Sequence, residues 1–379
     1  MSSLTKRLSR RTSTGRYIPE VDGMRFVAII LVLVFHASFL VLGVAKGRCP
    51  LNKPFGGTQC PMIHVWDSVI GQGRYGVHLF FILSGFILGL PFATGKVDLR
   101  KYYKRRLTRL EPPYLLALTI CFLLAPAGMA AHYGAGMLYA HNLFFHHVNP
   151  VNGALWSLEV EIQFYLSLPL LASVFLIEDR ARRRMLLISA IAIATMIQIP
   201  REFPVVLADS LIGTIQFFLT GMLLADLYDP DATKSREWDF GAMACVGLFL
   251  VGGRSAWFYP ALPLIGFVLF LAMFRGSTTR RVLSNRYIAT IGGMAYSIYL
   301  MHVPVMYLLA RVMPTEPFLF SVALIATSLA VGLMFFVLIE KPCMDPDWPH
   351  KLWVLLRGDR VTRDEDTDRL AVSSSPPRL

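Results

Sequence analysis

The chain has 379 residues, a formal net charge of +12, 55% hydrophobic residues and only 16% charged ones. Soluble domains carry about 25% charged residues, and a chain of this length has too little interior to hide so much apolar surface. Soluble globular, disordered and collagen-like classes are thereby excluded, as is a disulfide scaffold with only five cysteines, which leaves a multi-span membrane protein.

Residues 1–23 are basic and rich in Ser and Thr, and read as a cytoplasmic tail. The apolar run behind them is too long for a signal peptide and lacks a small-residue cleavage site, so a retained first span is expected. A helix needs about 20 apolar residues to cross the bilayer core. Ten stretches qualify: 24–45, 75–94, 112–130, 154–177, 185–200, 205–227, 238–253, 258–274, 287–311 and 317–339. Strand-period alternation is absent, so the expected fold is an all-α polytopic helix bundle of about ten transmembrane helices, not a barrel. With the N-terminus inside, 29 of the 37 Lys and Arg fall on inner segments and seven on outer ones, with Arg25 in the first span. That asymmetry predicts that both termini are cytoplasmic. The +12 is then positive-inside charge, which calls for a lipid bilayer and no nucleic acid. Residues 24–342 form one transmembrane domain, and 343–379 a polar cytoplasmic tail, expected to be disordered apart from a short interfacial helix in DWPHKLWVLLR. Localisation in the cell's inner or plasma membrane follows.

Ionisable groups at membrane depth are costly, so each is a candidate for function. In DGMRFVAIILVLVFHASF, Arg25 and His36 are eleven residues apart. Eleven steps of about 100° bring both to one stripe, about 16 Å apart along the axis. In ALWSLEVEIQFYL, Glu159 and Glu161 are two residues apart and face nearly opposite sides, so only one points at a given cavity. Polar glue between helices is the alternative reading for either. His302, in AYSIYLMHVPV, shares a depth band with His36 and Glu161, and the Val-Pro after it predicts a kink. In LRKYYKRRLTRLEPPY, Arg106 and Arg109 stand at i and i+3 as a fork suited to phosphates, beside basic neighbours that anionic lipid would also attract. Trp156 and Tyr165 are secondary candidates in the fourth span. His132, His141, His146 and His147 crowd one outer segment, but no HExxH or Cys-rich spacing marks a metal site. Cys49 and Cys60 share an outer loop and either pair or stay free; Cys121 and Cys245 read as packing residues.

The runs DGMRFVAIILVLVFHA, GVHLFFILSGFIL, YKRRLTRLEPPY, LWSLEVEIQFYL, YSIYLMHVPV and IEKP, in that order over about residues 17–342, resemble the bacterial acyltransferase 3 family of integral membrane O-acyltransferases. The family's Arg–ten residues–His pattern falls on Arg25 and His36, its Arg-x-x-Arg on Arg106 and Arg109, and its fourth-span Glu on Glu161. Many members have a second Glu where this chain has Ile162, which leaves Glu159 as a possible substitute, and His78 stands where members often have Asp. No appended extracytoplasmic hydrolase-like domain is expected.

The resemblance implies an acyl-CoA donor, acetyl-CoA first, entering from the cytosol with its phosphates on Arg106, Arg109 and Arg25. A hydroxyl of a carbohydrate or glycolipid acceptor arrives from the outer side, and no tightly bound cofactor or metal is implied. His36 acts as general base or transient acyl carrier, supported by Glu161. A proton-coupled secondary transporter using the intramembrane His and Glu is the competing class, and a flippase partner a third. The missing repeat symmetry and the basic fork favour the transferase.

Overall fold

The computed structural model describes residues 17–45, 70–95, 97–198, 205–252, 258–310, 317–345 and 347–356. Cys49, Cys60 and most of both tails lie outside them. Among the described residues all regular structure is helical, with one isolated bridge between Ser235 and Gly276. The long helices are α1 (Pro19–Ala45), α2 (Gly76–Thr94), α3 (Leu99–Leu124), α4 (Trp156–Leu171), α5 (Arg180–Ile197), α6 (Leu211–Leu227), α7 (Glu237–Gly252), α8 (Phe258–Arg275), α9 (Arg286–Gly293), α10 (Ala295–Ala310) and α11 (Pro317–Phe335). A nine-residue α12 (Trp348–Leu356) follows, where the interfacial helix is expected.

Polar side chains set where many of these helices begin. Asp98 accepts from Lys101 N at the start of α3, Asp179 from Ala181 N at α5, Ser210 from Ile212 N at α6 and Asn285 from Tyr287 N at α9. Each satisfies an amide that the first helical turn leaves unpaired.

Six of the described helical segments are long and apolar enough to cross a membrane, or seven if α9 and α10 form one span. Each of the ten sequence-predicted stretches has a helical counterpart, but their lengths differ. In α5 the four arginines of RARRR leave thirteen apolar-rich residues, Met185–Ile197, about 20 Å of helix. The 16 residues of α7 span about 24 Å. Both fall short of a hydrocarbon core about 30 Å thick. They nevertheless expose Ile188, Ile193, Met196, Phe240, Met243 and Val246. Apolar side chains on the outside of an all-helical bundle fit a lipid solvent. The chain is a multi-pass membrane protein.

Helix α10 is continuous through Pro304, where the sequence predicts a kink, and a break falls at Gly293–Met294, where α9 and α10 meet at 64°. The carbonyl of Leu300, which would bond residue 304 if that residue had an N–H, accepts instead from Asn152 Nδ2 at 3.1 Å.

Helix α1 is central and touches α2, α9, α10 and α11. Close backbone approach replaces hydrophobic driving force in lipid. An ideal Cβ at Gly292 would lie 1.7 Å from Asp22 O, and one at Gly85 2.1 Å from Phe218 O. Only glycine lets α9 meet α1, and α2 meet α6, so closely. Cys121, Cys245 and Cys343 are buried free thiols, two of them the expected packing residues.

Candidate active site

A cavity of about 110 Å³ opens where α1, α2, α3, α4, α9 and α10 converge. Arg25, Arg106, Arg109, Glu161 and Tyr165, from three separate sequence motifs, all line it. Arg25 pairs with Asp22, one turn earlier on α1. Arg106 and Arg109 leave α3 on one side but meet different partners. The guanidinium of Arg106 lies 5.5 Å from the ring centre of Tyr165 and 5.9 Å from that of Tyr102. Arg109 Nη2 lies 3.5 Å from Glu340 Oε1, and the other oxygen of Glu340 accepts from Ser297 Oγ at 2.6 Å. Glu340 is wholly buried and closes a π-helical turn, Phe336–Glu340, that follows α11.

On α4, Glu161 and Tyr165 are one turn apart, and the Tyr165 hydroxyl donates to Glu161 Oε1. Ser84 Oγ, from α2, donates to the same oxygen at 2.6 Å. Glu159 faces the other way, as the two-residue spacing requires. Its Oε2 accepts from Asn142 N at 2.9 Å, and it does not line this cavity. Glu159, the possible substitute for the second Glu that Ile162 replaces, thus lies off the cavity that Glu161 lines. Trp156 also lies off the cavity, edge-on to Phe81.

His36 stands apart from Glu161. Its ring neighbour is His302, with His302 Nε2 3.4 Å from His36 Nδ1. His36 Nδ1 is also 3.0 Å from Val32 O, and His302 Nδ1 is 2.6 Å from Tyr299 O. A carbonyl only accepts, so both Nδ1 atoms carry the proton in the neutral rings, and each Nε2 keeps its lone pair. Tyr299 lines the cavity and its ring centre is 5.3 Å from that of His302. A contact chain thus runs from the cavity through Tyr299 and His302 to His36.

His78 lies among the rings of Tyr75, Phe81, Phe217 and Tyr259 and borders a second, apolar cavity of about 1110 Å³ between α1, α2, α7 and α8. Between α3 and α4, His132 Nδ1 and His141 Nε2 are 2.9 Å apart, with the ring of His147 5.4 Å from that of His141. Among the described residues no group of three such side chains is arranged to hold a metal ion.

Sequence reasoning missed Ser84, Tyr299 and Glu340 as site residues. Each lies inside a motif already singled out (GVHLFFILSGFIL, YSIYLMHVPV and IEKP), so the signal was present but its spatial target was not.

Residues 18–337 match the family model described as an acyltransferase domain. The chain is 26% identical over 393 aligned positions to O-acetyltransferase OatA of Staphylococcus aureus (strain NCTC 8325 / PS 47), covering 89% of this chain and 58% of that protein. The OatA of strain COL aligns equally well. A provisionally named O-acetyltransferase of strain COL is 24% identical over 335 positions, covering 76% of this chain and 50% of the relative. The chain thus spans about half the length of the curated relatives it matches. No solved structure matches it.

Proposed function

Because the chain belongs to the acyltransferase 3 family, we propose that it is a membrane O-acyltransferase. It moves an acetyl group from cytosolic acyl-CoA to a hydroxyl of a carbohydrate or glycolipid at the outer face of the cell's inner or plasma membrane. The observation that carries this reading is the gathering of Arg25, Arg106, Arg109, Glu161 and Tyr165 around one cavity. The names of the S. aureus relatives support acetyl as the group moved.

In this account Arg106 meets the donor's phosphates first. Its charge rests on aromatic faces, which leaves its N–H groups for an anion. Arg109 pairs with Glu340 and lines the same wall. Glu161, fixed by Ser84 and Tyr165, offsets the cationic wall in a low-dielectric space. His36 Nε2 takes the proton of the acceptor hydroxyl as its oxygen attacks the thioester carbonyl. The carbon–sulfur bond breaks, and CoA leaves as a thiolate that is then protonated. The proton-coupled transporter stays the second reading, favoured by the break between α9 and α10.

Purified protein in proteoliposomes, supplied with acetyl-CoA on one face and an oligosaccharide on the other, tests the proposal. Acetyl ester on the sugar with release of free CoA supports it. Solute uptake with acetyl-CoA left intact supports the transporter instead.

A further inference from the structure

Proline inside a helix removes one N–H and strands the carbonyl four residues earlier. A stranded carbonyl at membrane depth or in a protein interior needs another donor. The Leu300 carbonyl, freed by Pro304, has the side chain of Asn152. Helix α3 repeats the arrangement at Pro112, which frees the carbonyl of Thr108. The donor there is Trp348, the first residue of α12, whose indole Nε1–H bonds Thr108 O at 2.9 Å. Thr108 lies between Arg106 and Arg109, and Trp348 follows Glu340 by only eight residues. Two points of attachment therefore tie the C-terminal segment to the same turn of α3: the Glu340 carboxylate on Arg109, and the Trp348 indole on the backbone between the two arginines.

We propose that Trp348 is a positioning residue for the donor. Its indole N–H replaces the backbone hydrogen bond that Pro112 removes, and so holds the turn that presents Arg106 and Arg109 to the phosphates of acyl-CoA. This rests on the donor assignment above. Trp348 itself touches neither cavity.

The test uses the full chain in detergent or nanodiscs, with Trp348→Phe and the double variant Trp348→Phe/Pro112→Ala. Phe keeps a ring but lacks the N–H; Ala at 112 restores an N–H within reach of Thr108 O. A net hydrogen bond of about 1–1.5 kcal/mol corresponds to about a five- to twelvefold change. The single variant should raise the Kd and KM for acetyl-CoA by that factor, leave the acceptor KM unchanged, and speed amide exchange over residues 104–111. The double variant should recover most of both effects. A folded Trp348→Phe protein with unchanged exchange and donor affinity overturns the proposal. So does faster exchange with unchanged donor affinity, or a loss that Pro112→Ala does not repair. Failure of the donor assignment shows separately, as wild-type protein that binds no acetyl-CoA.

Discussion

His302 Nε2 faces His36 Nδ1 at 3.4 Å across the boundary between α10 and α1, and the carbonyl of Tyr299 fixes the His302 tautomer. The pairing gives the Nδ1–H of His36 a second acceptor besides Val32 O, and holds the ring with Nε2 unprotonated. His302→Gln should therefore lower kcat by about tenfold, the scale of one lost orienting hydrogen bond, with little change in donor KM. Steady-state kinetics on both substrates check this. An unchanged kcat would reduce His302 to packing.

Arg106 and Arg109 should behave differently although they share a motif. Arg106→Gln should raise the KM for acyl-CoA by about 10–100-fold, the worth of a charge-assisted contact, and leave thermal stability near wild type. Arg109→Gln should lower stability, because it leaves the buried Glu340 carboxylate without its cation. Breaking a buried pair costs about 3–5 kcal/mol, and the lower end applies because Arg109 keeps 18% side-chain exposure. Arg109→Gln/Glu340→Gln should recover part of the loss. Melting curves of the three variants decide the matter, and equal stability in all of them would remove Glu340 from the account.

The histidines between α3 and α4 make a pH prediction. Burial, then the neighbouring His132 and His147, push the His141 imidazole down to about 4 from its usual 6.5. The folded chain keeps this ring neutral where the unfolded chain would bind a proton. Its contribution to stability is therefore complete above about pH 6.5 and is lost as pH falls toward 4. Amide protection over residues 130–147, corrected for intrinsic exchange rates, should fall across that window, and His141→Gln should flatten the dependence. Protection that is independent of pH in the wild type would contradict it.

Orientation is a prediction from the distribution of Lys and Arg. In a cysteine-free background, Lys104→Cys should react with an impermeant thiol reagent only after permeabilisation, and Phe144→Cys in intact cells. The reverse pattern would invert the topology.

Much of the site was legible because its parts carry short-range signals. The Arg106–Arg109 spacing and the opposed directions of Glu159 and Glu161 follow from helical rotation alone, and both appear in the structure; of the Arg25–His36 stripe, Arg25 lines the cavity and His36 lies behind Tyr299 and His302. What sequence could not give is which distant segment completes each part. Glu340 reaches Arg109 across 231 residues, and His36 meets His302 rather than the expected Glu161. Helical periodicity fixes the face a side chain occupies, but not the neighbour that packs on that face. The bend between α9 and α10 was missed for a related reason. Pro304 marks a kink by sequence, and α10 continues through it with Asn152 bonded to the carbonyl it frees, while the larger bend falls where no proline signals it.

The most direct measurement is acetyl transfer by His36→Ala set beside its binding of acetyl-CoA. The side chain is only partly buried, and its loss leaves the buried His302 Nε2 without a donor, a cost of about 1–3 kcal/mol. Arg25, Arg106 and Arg109 are untouched, so donor affinity should stay within about twofold of wild type, while transfer falls by about 10²–10⁴, the worth of a positioned general base. A folded His36→Ala protein that binds donor and transfers acetyl at close to the wild-type rate would contradict the account.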